Sequence, residues 1–156
     1  MKKYILTFVL SFAAMLSVFA DDKQEALNTF NNYVNAANSY SNTVETFYSP
    51  SAKIIRQVIK PDGTTANAYT DTATYIKQMK IGQAGAKIRK YKNTYTNVVA
   101  TPISAGKVKV SAVRHPSGDN DSLKTYMVLQ KQSNGKWIIV EELMQTRQQI
   151  FLKYVK

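Results

Sequence analysis

Two adjacent carboxylic acids, Glu141 and Glu142, are the residues of this chain best suited to acid–base chemistry. They lie in an apolar run near the C-terminus, and a carboxyl group against an apolar wall can hold a proton near neutral pH. Alternation along a strand would place Trp137 and Ile139 on the side of Glu141 and Met144 on the side of Glu142. Each Glu is therefore a candidate general acid or base, and an ordinary ion pair with Lys or Arg at the rim is the alternative.

The other polar residues that could take part in catalysis or metal binding are more typical of structural roles. Asp71 is a third candidate carboxylate, but its place before a predicted helix favours capping. His115 is the only histidine, which excludes a two-histidine metal site. Asp119 and Asp121 are typical of a turn, because a calcium loop would need a Glu where Gln130 stands. The sequence predicts no metal site and no cofactor.

A second pattern interleaves basic and aromatic residues. Arg89, Tyr91 and Tyr95 alternate on one face of a predicted strand, and Arg114 and Tyr126 lie on neighbouring strands. If this face is concave, guanidinium and phenol groups would line a pocket for a small anionic or amphiphilic ligand. The alternative is a solvated face on which tyrosines pack across strands.

The N-terminus has the pattern of an export signal. Lys2 and Lys3 precede an uncharged apolar run that ends at Ala20, so residues 1-20 are predicted to be a signal peptide that is cleaved after Ala20. The alternative is an uncleaved membrane anchor. Cleavage would leave a periplasmic or secreted domain, 21-156, without a stable membrane anchor. The chain has no cysteine, which excludes thiol chemistry and thiolate metal sites.

The charge of the chain narrows the class of partner. The whole chain has 21 Lys and Arg against 10 Asp and Glu. Cleavage after Ala20 would remove Lys2 and Lys3, which leaves 19 basic residues and a net charge of about +9. Basic residues interleaved with tyrosine would suit binding of nucleic acid. The predicted export signal argues against nucleic acid as the physiological partner. Lipid head groups or other envelope components fit both the charge and the compartment.

The periodicity predicts helices in the first half and strands in the second. We predict a helix over about 23-38, a short helix carrying Val44, Phe47 and Tyr48, a hairpin of 52-60 with 64-69, a helix over 71-81, and antiparallel strands at 87-101, 107-115, 122-132 and 136-145. The tail 147-156 contains Ile150, Phe151, Tyr154 and Val155, and is expected to dock on the sheet, the pocket mouth or a second subunit.

This order, with the segments Ala36–Ser41, Phe47–Ala52 and Asn134–Val140, resembles the nuclear transport factor 2-like superfamily and its SnoaL-like bacterial branch. The resemblance implies a cone-shaped α+β fold in which three helices pack in a strongly curved antiparallel sheet of about six strands. Members of this superfamily include enzymes, carriers and dimerisation modules. Because the chain lacks the Asp–His pair that is common in the enzymes, we expect a non-enzymatic protein that binds a small anionic or amphiphilic ligand. The alternatives are a SnoaL-like isomerase, dehydratase or hydrolase using a pocket Glu, and a homodimeric interaction module.

Overall fold

The computed structural model describes residues 2–155, with side chains from Met15 onward. Most of the predicted signal peptide, 1-20, has side chains outside this description, so export and cleavage after Ala20 stay predictions. Within the described part of the chain, no helix combines the length and apolarity needed to cross a membrane.

Two long helices and two short 3-10 helices accompany one six-stranded sheet. The elements in chain order are α1 (Lys2–Asn38), the first 3-10 helix (Asn42–Phe47), β1 (Tyr48–Ile59), β2 (Thr65–Thr70), α2 (Thr72–Ile88), β3 (Asn93–Ser104), β4 (Lys107–Pro116), β5 (Leu123–Lys131), β6 (Trp137–Thr146) and the second 3-10 helix (Gln149–Tyr154). The strand order is β2-β1-β6-β5-β4-β3, and only the β1–β6 pair is parallel. The predicted α+β class, the hairpin and the four-strand meander are confirmed.

The core lies between α1 and the concave face of the sheet. Ala26, Phe30 and Tyr33 follow one another at helical spacing and are all buried. The Phe30 ring packs edge-on against Tyr95 of β3, with 5.3 Å between ring centroids. The side-chain amide of Asn38 fixes the end of α1 against Asn93, the first residue of β3. It accepts a hydrogen bond from the backbone N–H of Asn93 and donates another to the backbone carbonyl of Asn93.

The second long helix extends further than predicted. We expected α2 to end near Gly82, but it runs through that residue and Gly85 to Ile88. A glycine inside a helix costs only about 1 kcal/mol relative to alanine, so packing of the rest of the helix can retain it. Consequently β3 begins at Asn93, and the prediction that Arg89 and Tyr91 lie on a strand is wrong. Arg89 caps the C-terminus of α2 and Tyr91 lies in the following loop.

Two other predicted boundaries change, and the docking site of the tail is defined. The helix α1 begins before residue 23, and Tyr48 opens β1 instead of closing the first short helix, which Ser41 caps. The tail docks on the protein's own sheet, where Val155 bridges Ala68 beside the second 3-10 helix.

A β-bulge in β6 changes which residues face inward. Val128 of β5 pairs with Glu141, whereas the next residue, Leu129, pairs with Ile139. The extra residue, Val140, reverses the alternation beyond that point. Glu142 therefore lies on the same side as Ile139, facing the helices, and the predicted alternation along this strand is wrong.

Candidate functional site

A cavity of about 360 Å³ opens between the end of α1, the first 3-10 helix, α2, the start of β3 and the end of β4. This volume is within the range of small-molecule sites. Part of its wall is apolar, and that part is formed by Ala37, Val44, Ile76, Met79, Ala86 and Met144. The cavity can therefore hold the apolar portion of a small ligand.

Arg114 of β4 contributes the central charge of this cavity. Its side chain is only 4% exposed, because the alternation of β4 turns it toward the helices. One terminal nitrogen donates to Asn93 Oδ1 at 2.9 Å and to the Tyr91 hydroxyl at 3.3 Å. The other donates to the backbone carbonyl of Gln145 at 2.8 Å. All three acceptors are neutral, and no carboxylate of the described residues forms an ion pair with Arg114.

Two buried polar atoms of cavity-lining residues have no hydrogen-bond partner among the described residues. They are Nε of Arg114 and the hydroxyl of Tyr40. Tyr40 is held at a left-handed φ of 58°, and its carbonyl accepts a hydrogen bond from the Gln83 side chain of α2. A buried polar atom without a partner is costly, so both atoms favour a ligand that supplies the missing hydrogen bonds.

The remaining charges of the wall lie on the helices. Lys80 of α2 and Glu45 of the first 3-10 helix form an ion pair at 2.6 Å. Arg89 lies over Gly85, where a Cβ would come within 3.2 Å of its guanidinium. Among the described residues of the wall, three side chains are cationic and Glu45 is the one carboxylate. The cavity therefore carries an excess of positive charge.

The structure brings together three of the five predicted ligand-binding residues. Arg89, Tyr91 and Arg114 line the cavity, although only Arg114 does so from a strand. Tyr95 is instead part of the packing around α1. Tyr126 lies on the convex face, where its hydroxyl donates to Glu141 Oε1 at 2.6 Å.

Glu142 lies deeper than the cavity and is fully buried. Its Oε1 accepts a hydrogen bond from Arg56 of β1 at 2.9 Å, and its Oε2 accepts one from the Tyr48 hydroxyl. The guanidinium of Arg56 also lies 4.5 Å from the centre of the Tyr75 ring. The carboxylate is therefore compensated by a buried ion pair and a charge-assisted hydrogen bond.

Two tyrosines connect this ion pair to the cavity. The hydroxyl oxygens of Tyr33 and Tyr75, which both line the cavity, lie 3.1 and 3.4 Å from that of Tyr48. A phenol carries one proton, and Tyr48 gives its own to Glu142, so the other two hydroxyls can donate to Tyr48. Burial, and next to it the charge of Glu142, raises the pKa of Tyr48 well above its usual value of about 10. Burial likewise raises the pKa of Tyr33 and Tyr75.

These raised pKa values predict a two-stage alkaline titration. Since the folded pKa of each buried tyrosine lies above the unfolded value, folded chains keep protons that unfolded chains release. Their contribution to stability is complete below about pH 10 and is lost as the pH rises through the folded pKa values. Ultraviolet absorbance should show exposed tyrosines ionising first and Tyr33, Tyr48 and Tyr75 ionising only with unfolding. A native curve that coincides with the curve in denaturant would contradict the burial of these hydroxyls.

The remaining sequence candidates lie away from the cavity. Glu141 is on the convex face with Tyr126. Asp71 caps α2, where its carboxylate accepts from the backbone and hydroxyl of Thr74. His115 contacts the hydroxyl of Thr96 at 2.8 Å near the end of β4.

Sequence reasoning missed several residues of the site. Tyr48 and Arg56 lie on β1 and Tyr75 lies on α2, and no spacing connects them to Glu142. Tyr33 could have been found, because it lies three residues after Phe30 on the apolar stripe of α1. Tyr40 gave no periodic signal, since it lies in the turn after α1.

No family model and no curated protein matches the chain, whereas many solved structures do. An NTF-2 like protein of unknown function from Shewanella oneidensis MR-1 is 12% identical, with a TM-score of 0.60 over 79% of this chain and 98% of that one. A provisionally named scytalone dehydratase from Novosphingobium aromaticivorans DSM 12444 is 12% identical, with a TM-score of 0.56 over 83% and 86%.

A third similar structure is a provisionally named ketosteroid isomerase from Shewanella frigidimarina NCIMB 400. It is 16% identical, with a TM-score of 0.54 over 75% of this chain and 91% of that one. Identities this low show the fold alone. The helices, the strand order and these structural matches agree with the expected family resemblance: the chain has the nuclear transport factor 2-like fold.

Proposed function

We propose that this protein binds a small anionic ligand with an apolar portion in the cavity of its nuclear transport factor 2-like fold. The observation that carries the proposal is Arg114, a buried guanidinium with neutral partners and an unpaired Nε. A buried charge is expensive unless an opposite charge and hydrogen bonds compensate it. An anion that accepts from Nε would supply both.

The shape of the anion follows from the donors that it would meet. A carboxylate has two acceptor oxygens in one plane, so one oxygen can accept from Arg114 Nε. Tyr40 lines the same wall, and its unpaired hydroxyl would be a second donor. The apolar wall, which includes Ile76 and Met79, would hold a hydrocarbon portion. These features favour an amphiphilic carboxylate over an inorganic anion.

The positions of the acids support binding without chemistry. The carboxylate of Glu142 is held by Arg56 and Tyr48, and that of Glu141 lies on the opposite face of the sheet. Glu45, at the cavity wall, is paired with Lys80. A general base must be within hydrogen-bond reach of the proton that it removes, and each of these three acids is instead held by a partner within the protein. We further infer, from the sequence of residues 1-20, that the ligand is met outside the cytoplasm.

Two ligands that share an alkyl chain and differ in the head group, one anionic and one neutral, test the proposal. Decanoate and decanol share the same chain length, so titration of each by calorimetry isolates the contribution of the carboxylate. A hydrogen bond to a charged group contributes about 1.5 to 3 kcal/mol, so decanoate should bind about 10 to 100 times more tightly. Equal affinities, or no binding of either compound, would contradict an anion site in the cavity.

A further inference from the structure

The positive charge of the chain is concentrated in one continuous segment. Between Asp71 and Asp119 there is no acidic residue, while nine basic residues occur there. Six of these belong to α2 and the loop that follows it: Lys77, Lys80, Lys87, Arg89, Lys90 and Lys92. Lys80 is paired with Glu45, and the other five form no ion pair with a described residue. This part of the surface therefore attracts anions.

The outer face of α2 is also unexpectedly apolar. Ile81 is 73% exposed and Ile88 is 83% exposed, and the exposed Ala84 lies between them. Residues three, four and seven apart share one helix face, so these three form a stripe that Lys77 extends. The opposite face, with Met79 and Ala86, lines the cavity. The apolar stripe is therefore not needed for packing of the helix against its own domain.

Exposed isoleucines beside lysines on a surface helix can contact a membrane interface, where the apolar side chains enter the acyl boundary and the lysines meet the head groups. Each Lys or Arg near an anionic lipid surface adds attraction, and exposed isoleucines gain by insertion between lipid chains. A helix face that contacts only solvent gives no reason for two exposed isoleucines, and binding of an acidic polymer gives none either. The charge and the apolar stripe together favour an anionic lipid surface.

We propose that the outer face of α2, centred on Ile81, Ala84 and Ile88, docks on an anionic lipid bilayer. Lys77 and Lys87 contact the head groups, and the two isoleucines insert among the upper parts of the acyl chains. Since Lys80 and Arg89 of the same helix line the cavity, docking brings the cavity close to the lipid surface. This inference goes beyond the binding of a ligand in the cavity and does not depend on Arg114.

The absence of cysteine makes a site-specific test possible in the full chain. The Ile81→Cys variant is labelled with an environment-sensitive fluorophore and mixed with vesicles of phosphatidylcholine alone or of equal parts phosphatidylcholine and phosphatidylglycerol. The control is Ile103→Cys, which is 53% exposed in β3 near the turn at Gly106, whose backbone N–H donates to Asp22 in the middle of α1. We expect a blue shift and a several-fold rise in emission for the label at 81 on anionic vesicles, and none at 103.

Further substitutions separate the contribution of the lysines from that of the isoleucines. In the I81C background, Lys77→Gln with Lys87→Gln should weaken vesicle binding about tenfold or more, because two cationic contacts with the anionic head groups are lost. Adding Ile88→Ser should weaken it at unchanged charge. An unchanged label on anionic vesicles, an equal response at 81 and 103, or the same blue shift on a soluble polyphosphate would overturn the proposal. None of these results would alter the preference for decanoate over decanol, so the two proposals can fail separately.

Discussion

Replacing Glu142 by glutamine is expected to lower the free energy of unfolding by about 3 to 5 kcal/mol, because it leaves the charge of Arg56 buried and unpaired. Both side chains are almost entirely inaccessible, and the carboxylate also accepts a hydrogen bond from Tyr48. Glutamine keeps the size of the side chain, so the loss reports charge and not volume. Urea denaturation measures it directly, and the melting temperature should fall by about 10 °C or more.

Two controls distinguish a buried ion pair from a general loss of packing. In the double variant Arg56→Met with Glu142→Leu, both charges are removed, and most of the lost stability should return. The exposed pair of Arg147 and Asp121 provides a matched comparison, and Asp121→Asn should cost no more than about 1 kcal/mol. A loss below about 1 kcal/mol for Glu142→Gln would mean that the pair is accessible to water.

The sequence predicts the order of elements well but not the inward face of β6. Alternation alone puts Glu141 beside Trp137 and Ile139, and the bulge at Val140 reverses the pattern for Glu142. A bulge depends on pairing with a neighbouring strand, so no property of β6 alone specifies it. One extra residue therefore decides which Glu is buried.

The candidate site was predictable from the sequence only in part. Arg114 follows from the alternation of β4, which has the regular burial pattern of a strand covered on one side. Arg89 reaches the cavity for a different reason than expected, since α2 continues past Gly82 and carries it to the helix end. The partners of Glu142 come together only through the long-range pairing of β1 with β6. Contacts of this kind depend on the whole fold.

Replacing Arg114 by methionine is expected to remove the preference of the cavity for a carboxylate. Methionine keeps an unbranched apolar stem of similar reach, but it offers no donor to an anion. Decanoate should therefore bind about 10 to 100 times more weakly than to the parent protein, while decanol should change little. Asn93 and the Gln145 carbonyl lose a donor in this variant, so its folded fraction must be verified before titration.

The most direct test of the anion site is the titration of both ligands into both proteins, with Arg147→Met as the matched control. Arg147 is an exposed arginine whose partner is Asp121, so its loss should leave both affinities unchanged. We expect the parent and Arg147→Met to prefer decanoate and Arg114→Met to bind the two ligands about equally. An unchanged preference in a folded Arg114→Met protein would contradict the assignment of Arg114 as the anion-binding residue.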